Sequence, residues 1–416
     1  MKPPALKAAG WSFLAAMLIL HALLVWDLRD FIPKGYADFT IFYSAGKIMR
    51  DGPRVDLYDG ASQFAVQKEF APGVRIRQAA LPYNHPPFEA LLFVPLTSFP
   101  YFDAYLIWNL FNVFILCAIP FILRSHVAIL RTHPQWFWTL LSLAFFPVFM
   151  TLIQGQDSIL LLLLFVLTFV FLKKNAVFIA GSCLALGLFR FHLVLPLALI
   201  LLLRGKRNVI LGFISVALLL LLLSVGLVGW STVMHYPEYV VHLEAAGAGG
   251  GIFPGNMPTV HGLLAPFIGV SMGKLTGGLI IGLLSLVLLV IAAVYWPKRS
   301  VRTDFDLQFS FVLVITVLVS YHAYAHDLSL LLLPLLLVAN HVQSTSASFA
   351  RGKLALLGPM FLLFLSPLYI VLRFRYAHLN LLALALLWWT WGLWREISRL
   401  QPVEPISRSL EFRGES

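Results

Sequence analysis

The chain has 416 residues, of which 60% are hydrophobic and only 12% are charged. Apolar runs long enough to cross a bilayer recur from one end to the other, which excludes an ordinary soluble domain and predicts an all-α polytopic integral membrane protein. The formal net charge of +11 does not indicate a nucleic-acid partner. Many Lys and Arg residues fall in short clusters between apolar runs, where the positive-inside rule expects them on the cytoplasmic side. The two cysteines, Cys117 and Cys183, lie in apolar segments and predict no disulfide framework.

The first apolar run predicts an uncleaved transmembrane helix. Lys2 and Lys7 precede an apolar stretch from about residue 10 to 26, and no small-residue cleavage site follows it. With the N-terminus inside, the polar residues 27–87 form a large first extracytoplasmic loop that carries several turn formers. Asp38 lies near the start of this loop, on the outer side of the membrane.

Basic residues mark the inner ends of the next spans, which are predicted near 103–123, 134–153 and 158–171. The stretch 176–203 then lies between two basic clusters that both indicate the cytoplasmic side. One span would put one cluster on the wrong side, whereas two short helices of about 14 residues each would enter and leave on the same side. We predict this short helical hairpin. At its apex, Arg190 and His192 are costly enough in an apolar setting to indicate a functional role.

The second half of the chain continues the alternation. A span over 208–230 leads to a second large extracytoplasmic loop at 231–262. Further helices are predicted near 276–296, 305–321, 327–340, 353–372 and 377–394, which gives about twelve helices in all. Residues 1–395 thus form a single transmembrane domain, and residues 396–416 form a cytoplasmic tail. The pattern predicts a multi-pass protein of the plasma or inner membrane.

Polar residues that do not suit a lipid-facing position gather at the extracytoplasmic ends of the predicted helices. They are Asp38, Tyr43, His85, Gln156, Asp157, Arg190, His192, Asn256, His261, His322, His326, Arg373 and Arg375. This asymmetry predicts a site that faces the periplasm or the cell exterior, where arginines hold an anion and a carboxylate or histidine moves a proton. No HExxH, Walker, GxSxG or DxD pattern stands out, so we expect no metal and no other cofactor.

Five segments carry a resemblance to a known family. They are DFTIFYSAGKIMRDGPRVDLYD at 38–59, NHPPFEALLFVPLTSFPYFDAYLIWNL at 84–110, GQDSILLLLL at 155–164, NMPTVHGLL at 256–264 and AHDLSLLLLPLLL at 325–337. In these segments and in their order the chain resembles the polyprenol-phosphate-sugar-dependent glycosyltransferases of family 87, which have the GT-C fold and include alpha-1,2-mannosyltransferases.

The resemblance implies transfer of a single sugar, mannose by default, from a polyprenyl-phosphate carrier to a lipid or glycan acceptor, with inversion at the anomeric carbon. Asp38 matches the general base of the first external loop, and we expect His326 to act with it. We assign the donor phosphate to Arg190, His192, Arg373 and Arg375, and the substrate pocket to Tyr43, His85, Gln156, Asp157, Asn256, His261 and His322. Membrane lipids are the other expected partners, and no nucleic acid is expected.

Two features depart from the family pattern. Relatives often carry Lys-Pro in the hairpin, where this chain has Arg190-Phe191-His192, and a pair of histidines in some members is here a single His326 followed by Asp327. The general chemistry does not depend on either feature. In a single displacement one carboxylate suffices as base, and the leaving phosphate needs cationic cover rather than an acid. A retaining mechanism would normally need a second, nucleophilic carboxylate, which the sequence does not exclude.

Simpler roles stay open for several of these residues. Asp38, Gln156 and Asp157 could cap helices, His85 could shape the return of the loop to the membrane, and Arg190 could reach the interface. Two other classes of protein also stay open. A transporter would more often show internal repeats and broken helices at the midplane, and a lipid-linked-oligosaccharide ligase or polymerase would use a diphosphate-linked donor.

Overall fold

The computed structural model describes residues 3–71, 81–247, 252–268, 270–296, 305–345, 350–365, 367–368, 371 and 380–400. Every regular element in these ranges is a helix, so the all-α prediction is confirmed. The helices are α1 Pro3–Leu28, α2 Phe39–Asp51, α3 Gly60–Phe70, α4 Pro87–Phe93, α5 Tyr101–Leu123, α6 Gln135–Ala144, α7 Phe146–Gln154, α8 Ser158–Lys173, α9 Val177–Leu186, α10 Phe191–Leu203, α11 Arg207–Val228, α12 Trp230–Ala246, α13 Val260–Leu264, α14 Lys274–Tyr295, α15 Phe305–Val319, α16 Leu332–Ser344, α17 Ala350–Phe364 and α18 Leu381–Leu400.

Six helical segments of the described residues are long and apolar enough to cross a membrane. They are Ala8–Leu28, Tyr101–Leu123, Val177–Leu203, Arg207–Val228, Lys274–Tyr295 and Asp327–Ser344. Helices α6 and α7, bent by 76° at their junction, add a seventh if the pair forms one span. Helices such as α8 and α15 are apolar but shorter, with 16 and 15 residues. The chain is therefore a polytopic membrane protein, and the count of about twelve helices stays a prediction.

Val177–Leu203 is long and apolar enough for one span by length and composition, but the chain turns back within it. Gly181 on α9 packs so closely on α11 that an added Cβ would lie 1.9 Å from the Val209 carbonyl oxygen. Just before α11, the backbone N–H of Lys206 donates to the carbonyl of Leu201 at 3.1 Å, so the end of α10 lies close to the same point. A straight helix would place Gly181 and Leu201 about 30 Å apart, which these two contacts do not allow. The reversal falls at the 3-10 turn Gly187–Arg190, as the hairpin prediction requires.

The two ends of the bundle differ in their charges. Helix α8 begins beside Asp157, and the hydroxyl of Ser158 donates to Asp327, which precedes α16, so these starts lie at one end. Helix α8 finishes at the other end, where Lys173 pairs with Asp306 of α15 at 2.6 Å. The basic clusters at 173–174 and 204–207 lie at this second end, whereas Glu89, Asp157 and Asp327 are buried at the first.

The predicted loops are largely helical. Residues 27–87 contain α2 and α3, and the second loop begins with the 17-residue helix α12. Helix α18 continues to Leu400, beyond the predicted tail boundary at 395, because Glu396 is buried and pairs with His341 of α16 at 3.0 Å. Residues 401–416 of the predicted tail lie outside the described residues.

Candidate active site

Asp38 precedes α2 and holds a half-buried carboxylate. The residue occupies the N-cap position, yet its side chain makes no capping hydrogen bond to the helix. Instead, Nε2 of Gln156 donates to Oδ2 of Asp38 at 2.9 Å, and the Asp38 backbone N–H donates to Oε1 of Gln154 at 3.1 Å. The carboxylate is thus oriented by Gln156 and the backbone of Asp38 is held by Gln154, both more than 110 positions away along the chain. This geometry does not support the simple capping role.

A tight turn after α7 brings Gln154 and Gln156 to Asp38. Gly155 has φ +63, and a Cβ there would lie 2.7 Å from that of Phe39, so the turn needs glycine for both its conformation and its packing. Helix α5 fixes the turn from the other side, because the indole N–H of Trp108 donates to the Gly155 carbonyl at 3.1 Å. The position of Asp38 therefore depends on contacts among α2, α5 and α7.

Gln156 connects Asp38 to Arg190. Its side chain is 4% exposed, its amide nitrogen donates to Asp38, and its amide oxygen accepts a hydrogen bond from Nη2 of Arg190. A primary amide has one donor side and one acceptor side, so it can join a carboxylate to a guanidinium in this order. The predicted base and the predicted phosphate ligand thus belong to one contact chain.

Arg190 is buried at the apex of the hairpin and pairs with carboxylates. Its Nε donates to Oδ1 of Asp157 at 2.7 Å, and Nη1 lies 3.6 Å from Oδ1 of Asp327, too far for a hydrogen bond. The Arg190 side chain is only 4% exposed, and both aspartates are fully buried. Nη1 is therefore the nitrogen of this guanidinium with the weaker contact.

Asp327 and His326 form the next part of the cluster. Asp327 accepts hydrogen bonds from the Ser158 hydroxyl at 3.0 Å and from the Tyr324 backbone N–H at 2.9 Å. Nε2 of His326 lies 3.4 Å from Oδ2 of Asp327. Burial lowers the pKa of His326, against the opposing effect of the Asp327 and Asp38 carboxylates. The imidazole is therefore neutral near pH 7 and able to accept a proton.

His85 lies on the other side of Asp157, together with a residue that the sequence reasoning did not select. Nδ1 of His85 is 2.8 Å from Oε2 of Glu89 and 3.8 Å from Oδ2 of Asp157. All three side chains are buried. Burial, and next the charge of Arg190, lower the pKa of His85 to about 3, and burial raises the pKa of Asp157 to about 7 against the attraction of Arg190. His85 is thus a neutral imidazole among carboxyl groups.

A second group of histidines lies beside the hairpin apex. The rings of His192 and His322 are 5.7 Å apart, and Nδ1 of His322 is 2.5 Å from Oε1 of Glu244 on α12. His261 is close to this group, with Nδ1 3.0 Å from the carbonyl oxygen of Tyr321. The structure therefore brings these three predicted pocket and donor residues to the same end of the bundle as Asp38.

Four predicted residues are placed differently or lie outside the description. Tyr43 is buried among aromatic rings and donates its hydroxyl to the Phe99 carbonyl at 2.8 Å, away from the charged cluster. Asn256 is exposed on the 3-10 turn Pro254–Asn256. Arg373 and Arg375 lie outside the described residues.

Two site residues were missed by the sequence reasoning, Glu89 and Glu244, and a third, Asp327, was noted only as the neighbour of His326, without a role. Glu89 gave a usable signal, because it is a carboxylate in an apolar stretch, four positions after His85. Asp327 gave the same signal at the start of an apolar run. Glu244 lies in a polar segment, where only its contact with His322 reveals it.

The fold and this cluster define a polytopic membrane protein with a buried polar site at one end of its helices. The chain belongs to glycosyltransferase family 87, whose family model matches residues 83–321, more than half of its length. It is a membrane glycosyltransferase, which sets aside the transporter interpretation. The matched region includes His85, Gln156, Asp157 and Arg190 but begins after Asp38. Comparison with curated proteins found no match, and comparison with solved structures found none either.

Proposed function

We propose that this glycosyltransferase moves one sugar, mannose by default, from a polyprenyl-phosphate carrier to a lipid or glycan acceptor of the cell envelope, with inversion. Family membership and the resemblance of the five sequence segments support the donor class. The observation that carries the proposal is the Asp38 carboxylate, which is half-buried, does not cap α2 and is oriented by Gln156.

The proposed reaction is a single displacement. The acceptor oxygen attacks the anomeric carbon and gives its proton to the Asp38 carboxylate, while the bond from that carbon to the phosphate oxygen breaks and its electron pair leaves with the phosphate. One positioned base is enough to remove the proton from the acceptor oxygen. Neutral His326 would act with Asp38 by accepting a hydrogen bond or by receiving the proton in turn.

Arg190 is our proposed source of positive charge for the departing phosphate. Nη1 is the candidate nitrogen, because Nε and Nη2 are held by Asp157 and Gln156. His192 and the residues Arg373 and Arg375 stay proposed donor contacts as well. His85, Gln156, Asp157, Asn256, His261 and His322 stay proposed for the substrate pocket, and Tyr43 would contribute only through packing.

The distribution of basic residues gives the proposed orientation of the protein in the membrane. The basic clusters at 173–174 and 204–207 lie at the end of the bundle opposite Asp38, and the positive-inside rule assigns such an end to the cytoplasm. The site would then face the periplasm or the cell exterior in the plasma or inner membrane. The shorter apolar helices would complete the set of about twelve around the hairpin.

The test is Asp38→Asn in protein purified into nanodiscs, with polyprenyl-phosphate-mannose and a crude acceptor lipid extract. Asn is nearly isosteric but its amide does not take up a proton at neutral pH, so turnover should fall by about two to four orders of magnitude. Folding and donor binding, measured separately, should stay close to wild type.

A matched control is Asp51→Asn at the last residue of α2, where the side chain pairs with Arg50 on the exposed surface. This variant should keep wild-type turnover. Near-normal turnover of Asp38→Asn would remove Asp38 from the mechanism. A polyprenyl-diphosphate oligosaccharide serving as donor in place of the monophosphate would favour the ligase interpretation.

A further inference from the structure

The cluster of His85, Glu89 and Asp157 has the composition of a metal site. One nitrogen and two carboxylate oxygens from these residues all lie within 4.8 Å of one another. The His85 and Glu89 side chains come from the two ends of the turn that starts α4, and Asp157 comes from the turn before α8. Imidazole and carboxylate groups are ligand types that divalent first-row cations accept.

Several buried polar atoms of these three side chains have no hydrogen bond. Oε1 of Glu89 and Oδ2 of Asp157 have no hydrogen-bond partner, and Nδ1 of His85 makes no well-aligned hydrogen bond although it lies 2.8 Å from Oε2 of Glu89. Two ionised carboxylates cannot donate to each other. A shared proton or a cation is therefore needed between them, because an unpaired buried charge strongly destabilises the folded state.

The charge count distinguishes these two occupants. When all three are ionised, the buried carboxylates of Glu89, Asp157 and Asp327 are opposed only by Arg190 among the described residues of the cluster, which leaves two negative charges. One shared proton would remove one of these charges. A divalent cation would remove both.

The remaining oxygens of the two carboxylates are already held. Tyr83 donates its hydroxyl to Oε2 of Glu89 at 3.2 Å, and Arg190 donates to Oδ1 of Asp157 at 2.7 Å. Tyr58 holds the backbone of the same turn by donating to the His85 carbonyl at 2.8 Å. Outer partners of this kind orient metal ligands and fix which oxygen faces the ion.

We propose that His85, Glu89 and Asp157 bind one divalent first-row cation of the Mn²⁺ or Zn²⁺ class. One imidazole with two carboxylates suits these ions better than Ca²⁺, which prefers oxygen ligands alone. The ion would join the start of α4 to the 154–157 turn. Its role would be to fix Gln156, and through Gln156 the Asp38 carboxylate, rather than to contact the sugar. No metal signature in the sequence points to it, since Asp157 lies far from His85 along the chain.

The test measures metal content directly. The full chain, purified in detergent with a tag that contains no histidine and without chelator, should carry about one Mn or Zn ion by plasma mass spectrometry. Glu89→Gln keeps the shape of the side chain but weakens a charged ligand, and it should lower the metal content at least fivefold. His85→Ala should do the same.

His341→Ala is the matched control, because His341 also pairs with a buried glutamate, but at the opposite end of the bundle. It should keep the wild-type metal content. After chelator treatment and desalting, added Mn²⁺ or Zn²⁺ should raise the unfolding temperature of the wild type and not that of Glu89→Gln.

Two outcomes would overturn the proposal. Folded wild type with less than about a tenth of an ion per chain, and with no rise in unfolding temperature on adding either metal, would leave a shared proton as the occupant. Equal metal content in wild type, Glu89→Gln and His341→Ala would show an adventitious ion only. If Glu89→Gln fails to fold, the wild-type metal content and unfolding temperature decide by themselves.

Discussion

Gln156 offers a direct test of how the site orients its carboxylate. Its Nε2 donates to Asp38 at 2.9 Å and its Oε1 accepts from Arg190, so two substitutions separate these contacts. Gln156→Glu keeps an acceptor for Arg190 but removes the donor to Asp38. Gln156→Met removes both contacts at similar volume.

The magnitude follows from the kind of hydrogen bond that is lost. A hydrogen bond to a charged group contributes about 1.5–3 kcal/mol, and each 1.36 kcal/mol is tenfold in rate. If the whole free energy of the Gln156–Asp38 hydrogen bond stabilises the transition state, turnover should fall by about 10- to 150-fold in both variants. In Gln156→Glu a second carboxylate also favours the protonated form of its neighbour, so the acid limb of the rate–pH profile should move to higher pH.

The assay is turnover at saturating donor over a range of pH, with thermal unfolding measured on the same samples. Gln156→Met should also lose stability because Arg190 loses an acceptor, and Gln156→Glu because it adds a buried carboxylate beside Asp38. Gln135→Met is the control: Gln135 donates to the Cys117 carbonyl at 2.6 Å at the other end of the bundle, and its loss should not change turnover. Turnover of folded Gln156→Glu within twofold of wild type, with an unmoved acid limb, would refute the reasoning.

Two further predictions concern the hairpin. Gly212→Ala should destabilise the protein by about 1–3 kcal/mol in thermal unfolding, because the new Cβ would lie 2.0 Å from the Phe178 carbonyl oxygen. Gly226→Ala on the same helix is the control and should not destabilise the protein, because nothing lies within 4 Å of a Cβ there. Equal effects of the two substitutions would contradict the close crossing of α9 and α11. Arg190→Met should lower the free energy of unfolding by about 3–5 kcal/mol, because it leaves buried carboxylates unpaired. Arg190→Lys should lower it less but still weaken donor binding, since one ammonium cannot replace the contacts with both Asp157 and Gln156. Wild-type stability of Arg190→Met would contradict the buried pairing.

The sequence supports the hairpin and much of the site because charge is costly inside a membrane. Basic clusters on both sides of 176–203 left few arrangements of the chain, and the structure reverses where they require it. Asp38, Gln156 and Arg190 stood out for the same reason, as polar groups at the ends of apolar runs. Grouping them needed only the rule that such groups face the bundle interior.

The pairings within the site could not be read from the sequence. Apolar periodicity does not say which helix ends meet, so nothing in the chain order indicated that Gln156 lies between Asp38 and Arg190. Tyr43 lies in different surroundings from those that its place in the sequence suggests. It follows Asp38 closely and was assigned to the pocket, but its ring packs on Phe70 and Tyr101 because it lies on the face of α2 that turns toward other aromatic side chains.

The arrangement of charges at the site end has a thermodynamic consequence. Replacing a buried ion pair by well-packed apolar residues is often neutral or stabilising, so the cluster around Arg190 is not explained by stability alone. The geometry of the cluster instead restricts side-chain orientation. The carboxylates limit the positions of the Arg190 guanidinium, and Arg190 in turn limits the Gln156 side chain. The Gln156 amide then has one orientation in which it can donate to Asp38. If Asp38 is the base, as proposed, a carboxylate held in this way needs little reorganisation when an acceptor arrives, and a rigid network far from the sugar would contribute to the rate.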